Sequence, residues 1–202
     1  MAFDELLLRR CGVPLLRFYR WARPSISFGY FCRVAEVQHF WENREPVRRW
    51  TGGGVVPHGE GEDVTYTLVV PREHPFAQIA PAETYERIHE VVARALGEFV
   101  SGVALTPTAP PKVSEHCFEN PAAHDILATG QKIAGAAQRR TREGFLHQGS
   151  IRFAGAPEAL IERIATLFAP NHSRRGALPS EVAAAEELAL DKYSTDAWLR
   201  RR

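Results

Sequence analysis

The sequence of 202 residues has no surplus of charge, few thiols and no long apolar run. Its 25 Lys and Arg nearly balance 24 Asp and Glu, for a formal charge of +1. Composition therefore gives no basis for binding nucleic acid or anionic membranes, which takes clustered, uncompensated basic residues. Any acidic partner must be met by a local patch, and Arg139, Arg140 and Arg142 are the candidates. The three cysteines, Cys11, Cys32 and Cys117, form no C-x-x-C pair and leave one thiol over. That argues against a disulfide framework and a cysteine-only zinc site, and suits a reducing, cytoplasmic compartment with no metal centre. No apolar run approaches the ~18 residues a membrane span requires. At the start, acids precede Leu6, Leu7 and Leu8 and bases follow them, unlike a secretory signal. Repeats, low-complexity tracts and interdomain linkers are also missing. What is present, 45% hydrophobic and 10% aromatic residues, is the composition of one globular domain spanning residues 1–202.

Short apolar stretches separated by turn residues predict strands over Leu15 to Trp21, Ser25 to Tyr30 and Val64 to Val70. In the last of these, Val64, Tyr66, Leu68 and Val70 share one face. From Pro81 to Val100 the period changes, with Tyr85, Ile88, Val92, Leu96 and Phe99 marking an amphipathic helix. A Pro-rich stretch over 106–112 excludes regular structure. Asp125 to Thr129, Lys132 to Arg139 and Phe145 to Phe153 then read as a three-stranded meander, turning at Gly130-Gln131 and around Arg142-Glu143-Gly144. Pro157 opens a helix that buries Leu160, Ile164, Leu167 and Phe168, and the Ala- and Glu-rich tail from about residue 179 is helical.

Three features carry chemistry. Gly52-Gly53-Gly54 lets backbone approach a ligand and turn amides toward an anion, or is a surface turn; it fits neither common nucleotide-loop pattern. Arg48 and Arg49 before it read as solvated charges. Lys132, in the small-residue run Gly130-Gln-Lys-Ile-Ala-Gly-Ala-Ala-Gln138, is either a cation beside a ligand or an edge lysine that discourages aggregation. Cys117 is either a nucleophile or a small buried hydrophobe. His58, His116, His147 and Asp125 are further polar candidates, each structural when taken singly.

In order and spacing, these segments resemble the lipoate-protein ligase A and octanoyltransferase family, relatives of the biotin-protein ligases. The similarity runs through Asp4-Glu5, Arg17-Phe-Tyr-Arg-Trp21, Pro24-Ser-Ile-Ser-Phe-Gly-Tyr30 and Arg48-Arg-Trp-Thr-Gly-Gly-Gly-Val-Val-Pro-His58. It continues through Asp63-Val-Thr-Tyr-Thr-Leu-Val-Val-Pro71, Cys117-Phe-Glu-Asn-Pro121, Asp125, the Lys132 run and Leu146-His-Gln-Gly-Ser-Ile151. Two positions depart from the family pattern. Gly59 stands where an Asp is usual, and Gln148-Gly149 replaces the usual His-Gly, with His147 one place earlier.

The resemblance implies an α+β fold, a mixed β-sheet flanked by helices in the class II synthetase-like manner. It implies an acyl chain held between the glycine loop and the lysine strand. Cys117 and Lys132 take the catalytic roles. Arg49, Thr51, Gly52, Gly53, Gly54, His58, Gly135, Ala136, His147 and Gly149 take the substrate. A cysteine 15 positions before the lysine resembles the octanoyltransferases rather than the ATP-dependent ligases. The implied reaction moves an octanoyl or lipoyl group, through a cysteine thioester and without a cofactor, onto a lysine of a lipoyl domain. The donor is octanoyl-acyl carrier protein or another lipoyl domain; the acceptor belongs to a 2-oxoacid dehydrogenase or a glycine-cleavage H protein. The absence of room for an accessory C-terminal domain points the same way. The alternatives are a ligase that uses ATP and Mg to form a lipoyl-adenylate, and an acyl-binding protein of the same fold without catalysis.

Overall fold

The structure, a computed structural model, describes residues 1–59, 63–108 and 121–201. Among the described residues, nine strands form two sheets. The larger is built from β1 (Leu15–Tyr19), β5 (Asp63–Pro71), β6 (Val103–Leu105), β7 (Ile126–Ala128), β8 (Gln131–Thr141) and β9 (Gly144–Arg152), in the order β1-β5-β9-β8-β7-β6. All its neighbours pair antiparallel. The smaller comprises β2 (Ser25–Phe28), β3 (Glu45–Arg48) and β4 (Val55–His58), with β2 central, parallel to β3 and antiparallel to β4. The α+β class stands, and the mixed pairing is confined to the small sheet.

The meander lies where the sequence puts it, with its first turn one residue earlier. Thr129 (φ 48°) and Gly130 (φ 85°) form that turn, both in the left-handed region that a two-residue hairpin of this hand needs. Helices α3 (Pro81–Leu96), α4 (Pro157–Phe168) and α5 (Pro179–Leu188) each open with proline, whose fixed φ suits the first helical position and whose missing N–H costs nothing there. α3 stops at Leu96, so Phe99 falls outside the helix and is 43% exposed rather than continuing the stripe. Ile88, Val92, Leu96, Leu160 and Ile164 from α3 and α4 pack on one face of the large sheet against Val64, Tyr66, Leu68 and Val70.

The opposite face carries α1 (Ala2–Arg10), absent from the sequence-based expectation. Leu7 and Leu8 bury there against Val69 and Leu146. Asp4 and Glu5 are buried as well, because each has fixed partners. Asp4 takes Arg17 at 2.7 Å, and Glu5 accepts from Lys192 and Tyr193, both at 2.5 Å. Those two partners lie in the tail, which follows α5 with a π turn (Ala189–Tyr193) and α6 (Asp196–Leu199). Between β2 and β3 sits the one-turn helix α2 (Val34–Val37).

Candidate active site

A narrow cleft, about 480 Å³ with the open solvent at its mouth included, lies between the small sheet and the β8–β9 half of the large sheet. Ser27, Val56 and His58 line it from the small sheet. Lys132, Gly135, Ala136, Ala137, Gly149 and Ser150 line it from the large one, with Tyr19 and Trp21 at its side.

Lys132 is on an interior strand, between β7 and β9, and only 2% of its side chain is exposed, so the edge-lysine alternative falls away. Its Nζ lies 2.7 Å from Asp125 Oδ2. Asp125 also accepts from Tyr85 Oη at 2.5 Å and from the Ala122 amide at 2.6 Å. Tyr85 in turn accepts the Ala136 amide at 3.0 Å, tying α3 to the lysine strand. Burial, reinforced by the Asp125 charge, pushes the Tyr85 phenol well above its ordinary range and keeps it a donor. Gly135 leaves room for this arrangement, since a Cβ there would sit 2.6 Å from Lys132 Cε.

Arg49 shapes the glycine loop from below. Its guanidinium donates to the carbonyls of Gly52 at 3.0 Å and Gly54 at 2.7 Å, so the loop has a braced form rather than that of a free surface turn. Gly53 adopts φ 86°, and its carbonyl presses so close to Gly29 that a Cβ there would lie 2.0 Å away. Thr51 donates to Gln148 Oε1 at 2.8 Å, and Gln148 Nε2 donates to Asp4 at 2.7 Å. The glutamine that departs from the family pattern thereby links loop and first helix. Arg48 and Arg49 are 1% and 7% exposed, which corrects their reading as solvated charges. Arg48 is satisfied instead by backbone carbonyls, among them Tyr30 and Cys32 at 2.8 Å and Leu199 at 2.9 Å.

His58 is held on three sides. Its Nε2 lies 2.7 Å from Ser27 Oγ and its Nδ1 2.5 Å from Asp63 Oδ2. The Trp21 ring stacks on it at 4.1 Å. Burial lowers its pKa, with Asp63 opposing that shift. At the second departure, Gly59 has φ 89°, and a Cβ would meet the Arg23 carbonyl at 2.9 Å, so an aspartate is sterically disfavoured on this backbone.

His147 is placed differently. It is fully buried behind the cleft, bonded to Tyr66 Oη and Gln138 at 3.1 Å each and beside His89. Burial and its neighbour His89 lower its pKa well below the ordinary value. Among the described residues, His147, Thr51, Gly52 and Gly54 do not line the cleft, whereas Arg49, Gly53, His58, Lys132, Gly135, Ala136 and Gly149 do. Cys117 and His116 lie outside the described residues. The proposed patch of Arg139, Arg140 and Arg142 does not form, because alternate residues of a strand face opposite ways. Arg139 lies over Trp50 and Tyr30, Arg140 bonds the Ala77 carbonyl and Thr84, and Arg142 pairs with Glu143 in the turn.

Sequence reasoning did not assign Ser27, Asp63, Tyr85 or Trp21 to this site. For Ser27 the available signal was a serine between Ile26 and Phe28 in a strand, and for Tyr85 a phenol on an otherwise apolar helix stripe.

Comparison with known proteins gives the same picture. Residues 1–195 match the lipoyl protein ligase A/B catalytic domain. The chain is 34% identical over 160 residues to an octanoyltransferase LipM from Carboxydothermus hydrogenoformans, covering 75% of this chain and 59% of that one. It is 34% identical over 173 residues to another from Oceanobacillus iheyensis, covering 80% and 62%. It thus spans about three-fifths of the length of these relatives. Among solved structures, protein Ta0514 of T. acidophilum with bound lipoic acid superposes with a TM-score of 0.77 at 22% identity, covering 98% of this chain and 91% of that one. A lipoate-protein ligase A bound with ATP gives 0.75 at 23% identity, covering 98% and 92%. At those identities the likeness concerns the fold.

Proposed function

Because the chain belongs to the lipoyl protein ligase A/B catalytic-domain family, we propose that it is an octanoyltransferase that acylates a lysine of a lipoyl domain through a Cys117 thioester. The observation that carries the proposal is the buried Lys132, paired with Asp125 on the wall of a largely apolar cleft beside the braced glycine loop. The relatives named octanoyltransferase LipM support the choice of reaction.

The Cys117 thiolate attacks the acyl thioester of octanoyl-acyl carrier protein; on a donor lipoyl domain it attacks the octanoyl-lysine amide instead, and the lysine leaves as the amine after taking a proton. The carrier's thiolate leaves, and the octanoyl group remains on Cys117. Lys132 supplies positive charge for the developing oxyanion, in a site whose low dielectric makes that charge count. Asp125 and Tyr85 orient the ammonium, and Gly135 leaves the space it occupies. Thioester exchange is nearly isoenergetic and needs no ATP. The amine of the target lysine then attacks the acyl-enzyme, and the resulting amide is more stable than the thioester it replaces. Proposed acceptors are the lipoyl domains of 2-oxoacid dehydrogenases and the glycine-cleavage H protein. Arg49, Gly53, His58, Ala136 and Gly149 contact the acyl group or its thioester, while Thr51, Gly52, Gly54 and His147 support that wall from behind. The seven carbons beyond the octanoyl carbonyl contribute about 6 kcal/mol at ~0.8 kcal/mol per buried CH₂, before ordering costs. Tyr19, Trp21 and Val56, which line the cleft, then bear on which chain lengths it accepts.

Incubation with octanoyl-acyl carrier protein followed by intact mass analysis tests this reading. One octanoyl group is expected on the protein and none on Cys117→Ala. Full activity of Cys117→Ala, with a requirement for ATP and free lipoate, would establish the ligase reaction instead.

A further inference from the structure

A second polar constellation in the cleft shares Arg49 and His58 with the acyl site and adds a hydroxyl that the cysteine reaction does not use. Ser27 stands in the middle of β2 with 1% of its surface exposed, while its neighbours Ile26 and Phe28 enter the apolar core of the small sheet. A buried hydroxyl must be paired to offset its lost hydration. Ser27 Oγ is 2.7 Å from His58 Nε2 and accepts from Arg49 Nη1 at 2.8 Å. Beyond the imidazole, Nδ1 lies 2.5 Å from Asp63 Oδ2, and Ser150 donates to Asp63 Oδ1, also at 2.5 Å. A carboxylate only accepts, so His58 Nδ1 carries the proton and Nε2 accepts from the Ser27 hydroxyl. Trp21, stacked on the imidazole with an interplanar angle of 13°, fixes the ring plane. Hydroxyl, imidazole and carboxylate thus form the chain of nucleophile, base and orienting group that defines an activated serine wherever it occurs. Ser27, Arg49 and His58 all line the same cleft as Lys132.

We propose that Ser27 is a second nucleophile of this cleft, acylated by activated medium-chain esters and thioesters and deacylated by water. In the first step Ser27 Oγ forms a bond to the acyl carbonyl carbon as its proton passes to His58 Nε2. The bond to the alcohol or thiol breaks, and that leaving group takes the proton from His58. In the second step water attacks the serine ester and gives a proton to His58, which returns it to Ser27 Oγ as the carboxylic acid departs. The sum is hydrolysis of an ester or thioester, with water as the only co-reactant. Arg49, with Nη1 beside Oγ, supplies positive charge near the acyl carbonyl oxygen, where the negative charge of the tetrahedral intermediate builds. The low pKa of His58 leaves the imidazole neutral and able to accept at pH 7. The activity suits discharge of acyl groups that enter the cleft without an acceptor, and it is separate from transfer through Cys117.

The test uses p-nitrophenyl octanoate and a fluorophosphonate probe. In Cys117→Ala protein, transfer to a lipoyl domain is lost, yet hydrolysis of p-nitrophenyl octanoate is expected to exceed the buffer rate. Adding Ser27→Ala should then reduce hydrolysis by about a hundredfold or more. The probe should add once to the unaltered chain, with peptide mass analysis locating it on Ser27, a readout that needs no variant to fold. A probe-free Ser27, or hydrolysis unchanged by Ser27→Ala, overturns the proposal. So does hydrolysis that vanishes with Cys117 alone, a result that leaves the cysteine reading intact. Transfer that survives in Cys117→Ala sinks the cysteine reading instead, whatever Ser27 does.

Discussion

Lys132 Nζ and Asp125 Oδ2 lie 2.7 Å apart with 2% and 1% of their side chains exposed. Removing either partner has unequal consequences. Asp125→Asn leaves an ammonium buried without its carboxylate, a change that costs about 3–5 kcal/mol. Lys132→Ala leaves a carboxylate that still accepts from Tyr85 and the Ala122 amide, and should cost less. Urea unfolding is expected to rank Asp125→Asn below Lys132→Ala in stability, while Lys132→Ala loses most of its octanoyl transfer. Equal stabilities would mean that the Tyr85 and Ala122 bonds do not sustain the isolated carboxylate.

Two glycines in the cleft should respond through different neighbours to a single methyl group. At Gly135 a Cβ would meet Lys132 Cε at 2.6 Å and Nζ at 2.8 Å, the far end of a flexible side chain. Gly135→Ala therefore displaces the lysine from Asp125, whose Oδ1 is itself 3.0 Å from that Cβ, and is expected to lower transfer at least about tenfold together with the melting temperature. At Gly149 a Cβ would lie 2.2 Å from the ring of Tyr66, which is fully buried and cannot yield. Gly149→Ala is expected to destabilise by about 1–3 kcal/mol, the usual cost of overpacking. Thermal melts beside transfer assays check both variants.

These pairs also show what was legible in the sequence. The alternation of Val64, Tyr66, Leu68 and Val70 and the stripe of α3 were readable because each repeats with the period of its own backbone. Three helix starts were readable from proline. Helix α1 was not, because its buried Asp4 and Glu5 disguise an inward face, and their burial is made tolerable by partners that include Arg9, Arg17, Gln148 and the tail residues Lys192 and Tyr193. Strands β3 and β4 are four residues each, too short for a period to emerge. At the site, Lys132 and the glycine loop stood out by residue type. Asp125, 7 positions before Lys132, reaches it across the β7–β8 hairpin, and Tyr85, which bonds Asp125, lies 47 positions from the lysine and arrives only through the packing of α3.

Stability should fall with acid from an unusual starting point. His89 donates from Nδ1 to the His124 carbonyl at 2.6 Å, while its buried Nε2 has no hydrogen-bond partner among the described residues. Burial takes its pKa from 6.5 down to about 4. The unfolded chain therefore binds a proton below pH 6.5 that the folded chain refuses until about pH 4. Stability present above 6.5 is lost as pH falls through that window, by about 3 kcal/mol for this group. His147 and His58, also lowered, act in the same direction. Urea midpoints should drop steadily from pH 7 to pH 4, and His89→Gln should flatten the decline. An unchanged slope would show that His89 is not the group being protonated.

The tail should behave as part of the small sheet. Arg48, 1% exposed, donates to the carbonyls of Leu199 at 2.9 Å and Arg201 at 3.2 Å as well as to those of Tyr30 and Cys32. Trp198 Nε1 returns a bond to the Arg48 carbonyl at 3.2 Å, and its ring lies against Tyr30 and Tyr193. Trp198→Ala is expected to cost about 3 kcal/mol or more through the lost burial alone. Arg48→Met leaves several inward-facing carbonyls unpaired and should cost a similar amount. Since either change releases the same residues 198–201, the double variant should be less destabilised than the two single costs combined, by about 1 kcal/mol or more. Simple additivity in urea unfolding would show instead that Arg48 holds the β2 end without help from the tail.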